Sequence, residues 1–238
     1  MMKPNKEEVH IHPSQHTSGD LAERHASVLL AKNPQELEAA YDKWASKYDE
    51  DLKLISGFDG LTETGLPAVK VLLRHFPTLN NQTMDILDFG CGTGHAGLFL
   101  SRQFSNEYMH SHLDGCDLSQ GMLDQSVKRG CYRNLIKADA DDCHCEVEYY
   151  DVVLAAGVFA PGQAPPSSFD QFLRLLKPGG HAIFTIRVGY YDSVEGANHK
   201  KHLEFLVEQG QWEMVAKTEE PYLPREGVTA YVFVMRKP

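Results

Sequence analysis

The sequence predicts an α/β fold with a doubly wound, mostly parallel sheet of seven strands. Between residues 84 and 187, short apolar runs alternate with helical stretches, which is the pattern of a parallel sheet covered by helices on both faces. Two further β-rich segments, 211–217 and 228–236, predict an antiparallel hairpin at one edge. The length of 238 residues suits one such domain with embellishments.

The strands predicted for the parallel part are short apolar runs, and they are Met84–Phe89, His112–Asp117, Leu135–Ala138, Asp151–Ala155 and Ala182–Arg187. Helices are predicted between and after them, at 95–104, 119–129, 168–176 and 199–209. Each helix therefore links two neighbouring elements of the sheet, as the doubly wound arrangement requires.

The residues before the sheet predict a helical cover. One helix is expected over 21–31, a second begins at Pro34 after a capping box formed by Asn33 and Glu36, and a third spans about 62–76. Helical spacing puts an apolar and aromatic face on the second helix, made of Leu37, Ala40, Tyr41, Trp44 and Tyr48. We expect a flexible tail over 1–19, the N-terminal helical cover over 20–80, and the main α/β domain, which carries the ligand site described below, over 81–238.

Composition restricts the class of protein. A formal net charge of -10 argues against a protein that binds nucleic acid through its phosphates. The longest apolar stretches have strand length, so no membrane span is expected, and the N-terminus lacks the apolar core of a signal peptide. Five irregularly spaced cysteines are typical of reduced thiols. These features together predict a cytoplasmic protein, and they leave its oligomeric state open.

A glycine-rich loop follows the first predicted strand, in the segment DILDFGCGTGHAG. Gly90, Gly92 and Gly94 suit a tight turn in which a ligand approaches bare backbone at the carboxyl edge of the sheet. The segment also fits the G-x-G-x-x-G spacing of dinucleotide-binding proteins, which alone is weak evidence. Asp88 stands two residues before the first glycine, where it would repel a pyrophosphate and attract a cation. The loop therefore favours a cofactor that carries positive charge.

Two further acids follow the next two strands. Asp117 can accept hydrogen bonds from two ribose hydroxyls, and Asp139 can accept one from the exocyclic amine of adenine, beside the Ala140 amide. Leu118 and Met122 could enclose the base from its two faces. Each acid alone would be interpreted as a surface residue, and Asp117 as a helix N-cap, but three acids at successive strand ends indicate a nucleoside site.

At this point the sequence resembles the class I S-adenosylmethionine-dependent methyltransferases. The resemblance covers Asp85 to Ile186 and rests on the blocks LDFGCGTG, GCDLSQGML, KADADD, YYDVVLAAGVF and LLKPGGHAIFTI. It implies a Rossmann-like fold, S-adenosylmethionine as cofactor, and S-adenosylhomocysteine as product. It also implies that Ala155, in the fourth block, belongs to the cofactor site.

The N-terminal segment AAYDKWASKYDED resembles the Williams–Beuren-region methyltransferase-like proteins and, more loosely, the ubiquinone and menaquinone methyltransferases. This resemblance implies that Tyr41, Trp44 and Tyr48 close over the methionine end of the cofactor. The same aromatic residues would also serve as the apolar face of a packed helix, and both interpretations stay open. The family supplies no acceptor.

We predict methyl transfer to a small-molecule acceptor by in-line displacement, because the chain offers no sizeable extra domain for a larger substrate. No catalytic base is assigned. The candidates are His95, Arg187, Tyr190, Tyr191, Tyr222, Arg225 and His25. The alternatives are a non-catalytic cofactor-binding adaptor, a protein or RNA methyltransferase, and an NAD-dependent oxidoreductase.

Cys143, His144 and Cys145, with Cys116 and Cys131 upstream, offer soft ligands for a metal ion. Zinc sites usually space paired cysteines by two to four residues, and neighbouring side chains in Cys-His-Cys point in opposed directions. The sequence therefore favours a surface loop before the fourth strand, and no metal ligands are predicted.

Overall fold

The structure is a computed structural model that describes residues 19–56, 66–75, 83–104, 111–223 and 226–238. The predicted tail therefore lies outside the described residues except for Gly19, as do the first part of the predicted helix at 62–76 and the candidate Arg225. Within the described ranges, no helix combines the length and the apolar character needed to cross a membrane.

Seven strands form one sheet in the order β3-β2-β1-β4-β5-β7-β6. Their bounds are β1 Asp85–Phe89, β2 His112–Asp117, β3 Asn134–Lys137, β4 Tyr150–Phe159, β5 Leu176–Arg187, β6 Glu213–Leu223 and β7 Val228–Arg236. Strands β1 to β5 pair in parallel, whereas β7 pairs antiparallel with both β5 and β6. The predicted doubly wound sheet with an antiparallel edge hairpin is confirmed.

Nine helices are described: α1 Gly19–Leu29, α2 Pro34–Trp44, α3 Tyr48–Ser56, α4 Pro67–His75, α5 His95–Phe104, α6 Gln120–Val127, α7 Ser168–Leu175, α8 Val188–Tyr191 and α9 Ala197–Glu208. The capping box before α2 is present, since the Asn33 side chain accepts a hydrogen bond from the Glu36 amide. Proline at the first helical position fixes the backbone angle that the helix needs.

Alternating side chains of the strands divide the core between the two faces of the sheet. Along β1, Ile86 packs with α4 and α5, whereas Leu87 and Phe89 pack on the opposite face. That opposite face holds an aromatic cluster, whose buried members include Phe159, Phe169, Phe172, Phe184 and Phe233. Among the described residues, buried apolar side chains therefore fill both faces of the sheet, and the carboxyl edge is the expected place for a ligand.

Two departures from the predicted elements affect the site. Strand β4 runs to Phe159, four residues further than predicted, with an irregular register against β5 between Ala155 and Phe159 and a positive φ of 80° at Gly157. The predicted second helix is broken after Trp44, and Tyr48 begins the separate helix α3. Strand β6 is also longer than predicted and reaches Leu223.

Candidate active site

The glycine loop connects β1 to α5 at the carboxyl edge of the sheet. Gly90, Gly92 and Gly94 have φ values of 69°, 53° and 85°, a region that favours glycine. A Cβ placed on Gly92 would meet nothing within 4 Å, so its backbone faces open space. This is the arrangement expected where a ligand approaches the main chain.

Asp117 ends β2 directly beside that loop. Its Oδ2 accepts a hydrogen bond from the Gly92 amide at 2.8 Å, and its Oδ1 accepts one from the Ser119 amide at 2.9 Å. Burial raises the pKa of Asp117, and the hydrogen bonds from Ser119 and Gly92 oppose that rise. Each carboxylate oxygen keeps a second lone pair for a ribose hydroxyl.

The predicted base-binding residues lie around Asp117. The Ala138 amide donates to the Asp117 carbonyl at 2.9 Å, which brings the half-buried Asp139 and Ala140 to the same edge. Leu118 packs against the helical cover, and Met122 is buried in α6. The structure thus brings together the residues predicted to hold the nucleoside.

Asp88 was predicted to attract a cationic cofactor at the glycine loop, but its side chain is not exposed there. Its carboxyl group is buried, and its Oδ2 accepts a hydrogen bond from the Tyr132 hydroxyl at 2.6 Å. Burial raises the pKa of Asp88 to about 7, so a large fraction of this group is uncharged at neutral pH. The direct attraction between Asp88 and a cation is therefore not supported, and Asp88 instead anchors the strand behind the loop.

Ala155 also lies differently from its predicted position. Because β4 continues past it, Ala155 sits inside the strand with a fully buried side chain in the aromatic core rather than at the strand end. The half-buried Ala156 and the exposed Gly157 follow it toward the carboxyl edge.

The aromatic residues of the cover take different positions. Trp44 is buried and donates from Nε1 to Asp51 Oδ2 at 2.8 Å, so it belongs to the interior of the cover. Tyr41 stacks on Trp44, and both Tyr41 and Tyr48 are half-buried beside Leu118. Burial, and then the charges of neighbours that include Asp117, raise the pKa of both tyrosines. The two tyrosines therefore lie near Asp117 at the carboxyl edge of the sheet, whereas Trp44 lies in the interior of the cover.

Two acids of the cover attach it to the sheet domain. Asp42 Oδ1 accepts hydrogen bonds from the Ser119 hydroxyl at 2.6 Å and the Gly121 amide at 2.8 Å, at the start of α6. A Cβ on Gly121 would lie only 3.0 Å from the Asp42 Cα, so glycine lets α2 approach closely.

The second attachment is at the glycine loop. Asp49 Oδ1 accepts a hydrogen bond from the Thr93 hydroxyl at 2.6 Å and lies 2.9 Å from His95 Nε2, while its Oδ2 pairs with Arg129 at 2.5 Å. His95, one of the candidate bases, is half-buried in this contact. Asp42 and Asp49 were not among the predicted site residues, although the repeated Tyr-Asp pair in YDKWASKYDED is a signal for them.

A second group of candidate residues brings together side chains that are distant in sequence. The Arg187 guanidinium lies 5.5 Å from the centre of the Tyr222 ring, and a Cβ on Gly157 would lie 2.8 Å from the Tyr222 hydroxyl oxygen. Burial, and then the Arg187 charge, lower the pKa of His25 on α1. In the part of the chain that the structure describes, no carboxylate forms an ion pair with Arg187.

Two other candidates lie away from this group. The Tyr190 hydroxyl is 3.3 Å from His199 Nδ1, and Tyr191 is buried against Phe233. Both tyrosines therefore connect α8 to its neighbours α9 and β7.

Comparisons with known proteins agree with this geometry. Residues 86–180 match the family model of a methyltransferase domain. Human methyltransferase-like protein 27 is 29% identical over 210 residues, which cover 84% of this chain and 79% of the relative. The demethylmenaquinone methyltransferase of Clavibacter sepedonicus is 29% identical over 158 residues, but the match spans only 59% of that protein. A TehB-like S-adenosylmethionine-dependent methyltransferase structure from Corynebacterium glutamicum has a TM-score of 0.57, with 22% identity, and covers 84% of this chain and 99% of its own.

The sheet order, the glycine loop with its acid at the end of β2, and the matched domain define one class of protein. The chain contains a methyltransferase domain and has the fold of the class I S-adenosylmethionine-dependent methyltransferases. The resemblance recognised in the sequence blocks is thereby confirmed.

Proposed function

We propose that the chain transfers a methyl group from S-adenosylmethionine to a small anionic molecule. The observation that carries this proposal is Arg187, which lies over the Tyr222 ring and, among the described residues, forms no ion pair with a carboxylate. Burial is the main influence on the pKa of Tyr41, Tyr48 and His25, and the Arg187 charge contributes to each, so the guanidinium lies in their neighbourhood. We place the acceptor in a cleft between these side chains, since aromatic rings beside one cation suit a small acceptor with a carboxylate or phosphate.

The residues at the edge of the sheet fit the cofactor. In this proposal Asp117 binds the ribose, Asp139 and Ala140 bind the adenine edge, and Leu118 and Met122 enclose the base. The open backbone at Gly92 leaves room for the methionine part, and Gly90 and Gly94 hold the loop in the required turn. Tyr41 and Tyr48 cover the cofactor, while Trp44 supports them from behind.

The bound cofactor supplies a methyl group on an already activated sulfonium. The protein therefore has to align the acceptor with that methyl group and exclude water, and orientation alone can supply roughly 7–11 kcal/mol. We assign the alignment to Arg187 and Tyr222 and the exclusion of water to the cover. His25 acts as proton acceptor when the acceptor arrives protonated, since its lowered pKa keeps the imidazole neutral at pH 7.

The test is formation of S-adenosylhomocysteine across matched pairs of acceptors. Each pair contains a small carboxylic or phosphoric acid and its neutral ester or amide, and the wild type is compared with Arg187→Gln. We expect turnover with the anionic members, and a rise in KM for Arg187→Gln that neutral acceptors do not show. The matched control is Lys200→Gln, because Lys200 lies over the Tyr191 ring away from the cleft.

Other outcomes would contradict the proposal. Binding of S-adenosylhomocysteine without turnover of any acceptor would favour an adaptor. Turnover of neutral acceptors alone would refute the role given to Arg187, and stabilisation of the fold by NAD rather than S-adenosylmethionine would refute the cofactor.

A further inference from the structure

Three buried thiols lie close together beside the carboxyl end of β2, next to the proposed cofactor site. Cys116 belongs to β2, and Cys143 and Cys145 lie in the loop before β4, with exposed fractions of only 2%, 1% and 5%. A surface loop was predicted before β4, and this prediction is wrong for the side chains of Cys143 and Cys145. Side chains two positions apart in an extended segment share a side, so both cysteines point inward while the His144 side chain is 80% exposed.

The three sulfur atoms form a compact group. All of them lie within 4.8 Å of one another, and the Cys143 and Cys145 sulfurs are 2.8 Å apart. Within the described ranges, no other histidine, cysteine or carboxylate side chain joins this group. The set is therefore three soft donors around one point.

The loop is held in this conformation by α7. The Arg174 guanidinium donates to the carbonyl oxygens of both Cys143 and Cys145. The Gln171 side chain donates to the Asp141 carbonyl at 2.8 Å. The sulfur atoms thus belong to a segment whose main chain is fixed before any ligand arrives, which reduces the ordering cost of binding.

We propose that Cys116, Cys143 and Cys145 bind one soft d10 metal ion, and that the ion is Cu(I). A single buried cysteine usually serves as a small apolar side chain. Three thiols brought to one point from two separate segments instead match the donor set that soft ions select. Cu(I) accepts three thiolates in a plane, whereas Zn²⁺ would require a fourth ligand, and water is excluded from this buried group.

Binding replaces the thiol protons by the metal ion, so each coordinated thiol releases one proton and no electron is transferred. The site adjoins the cofactor edge. Cys116 directly precedes Asp117, and its carbonyl accepts a hydrogen bond from the Cys91 amide of the glycine loop at 2.9 Å. The ion would therefore join β2 to the loop that continues from Asp139 and Ala140.

The first experiment titrates the reduced, metal-free full chain with Cu(I) under anaerobic conditions, in competition with the chelator bathocuproine disulfonate. We expect one equivalent of tightly bound Cu(I), and a copper-edge X-ray absorption spectrum with three sulfur neighbours. This spectrum needs only the wild type, so it does not depend on the folding of any variant. Oxygen or nitrogen neighbours without sulfur would overturn the proposal.

Variants distinguish Cu(I) bound by the group of three cysteines from Cu(I) bound by any exposed thiol. Cys143→Ser and Cys116→Ser should lose the tight equivalent, whereas Cys131→Ser keeps it, because Cys131 lies outside the group. Arg174→Gln, which keeps all three sulfurs, should weaken affinity about 10-fold through the supporting contacts. Equal Cu(I) binding by the wild type and folded Cys143→Ser, checked by circular dichroism, would also overturn the proposal.

Discussion

The contact between Asp49 and the glycine loop predicts that Asp49→Asn weakens cofactor binding. The Asp49 carboxylate joins α3 to the Thr93 hydroxyl, His95 and Arg129. Asparagine keeps the shape and one oxygen acceptor, but it removes the charge. Its single oxygen can serve Arg129 or the Thr93 and His95 side, but not both. The cover should therefore detach more readily from the loop.

The size of the expected loss in binding free energy follows from these contacts. A hydrogen bond to a charged group contributes about 1.5–3 kcal/mol. The Asp49 side chain is 41% exposed, so solvent screening reduces the loss to about 1–1.5 kcal/mol. In the proposed function the cover holds the cofactor in place, so this loss corresponds to roughly tenfold weaker binding.

Isothermal calorimetry with S-adenosylhomocysteine measures the effect directly. The matched control is Glu50→Gln at the next residue, whose ion pair with Lys47 has side chains 57% and 66% exposed. Such a surface pair contributes only about 0–1 kcal/mol, so its loss should leave cofactor affinity unchanged. The reasoning is refuted if Asp49→Asn binds as tightly as the wild type, or if Glu50→Gln weakens binding equally.

Three further predictions concern the loop and the proton acceptor. Gly97→Ala should lower the free energy of unfolding by about 1–3 kcal/mol in urea titrations, because a Cβ there would lie 2.2 Å from the Tyr132 hydroxyl oxygen. Gly189→Ala, whose Cβ would meet nothing within 4 Å, should unfold nearly as the wild type does. The pKa of Asp88 is raised to about 7 in the folded protein. Its contribution to stability is therefore fully present at pH values below the pKa of the unfolded chain, and it is lost as the pH rises through 7. Chemical unfolding from pH 4 to 8 should show this loss in the wild type, and a flat profile equal to that of Asp88→Asn would contradict it. The lowered pKa of His25 predicts a rate that rises with pH and reaches half of its plateau below the ordinary histidine pKa, and His25→Gln should remove this rise and cost at least about 100-fold in kcat. An unchanged pH–rate profile in that variant would exclude His25 as the base.

The sheet and the glycine loop could be predicted because their signals are local. Apolar runs, turn residues and a terminal acid occur within a few residues of one another, and each strand followed from its own segment. Asp117 illustrates this, because its place at a strand end already determines which edge it faces.

Other features depend on contacts between distant segments. Nothing between Trp44 and Tyr48 breaks a helix locally, since alanine, serine and lysine all suit one. The break instead accompanies contacts of α3 that the sequence did not reveal, in particular those of Asp49 and Asp51. Likewise, Cys116 and Cys143 are 27 positions apart, and no local pattern indicates that their sulfurs meet.

The approach of Tyr222 to Gly157 has a consequence for how new specificities could arise. Tyr222 belongs to β6 at the far edge of the sheet, whereas the proposed nucleoside contacts come from segments before residue 160. The matched domain model ends at residue 180, ahead of both Arg187 and Tyr222. Exchanging the terminal hairpin between related chains should therefore change which molecule is methylated while the donor is held as before, so the two halves of the reaction can be engineered separately.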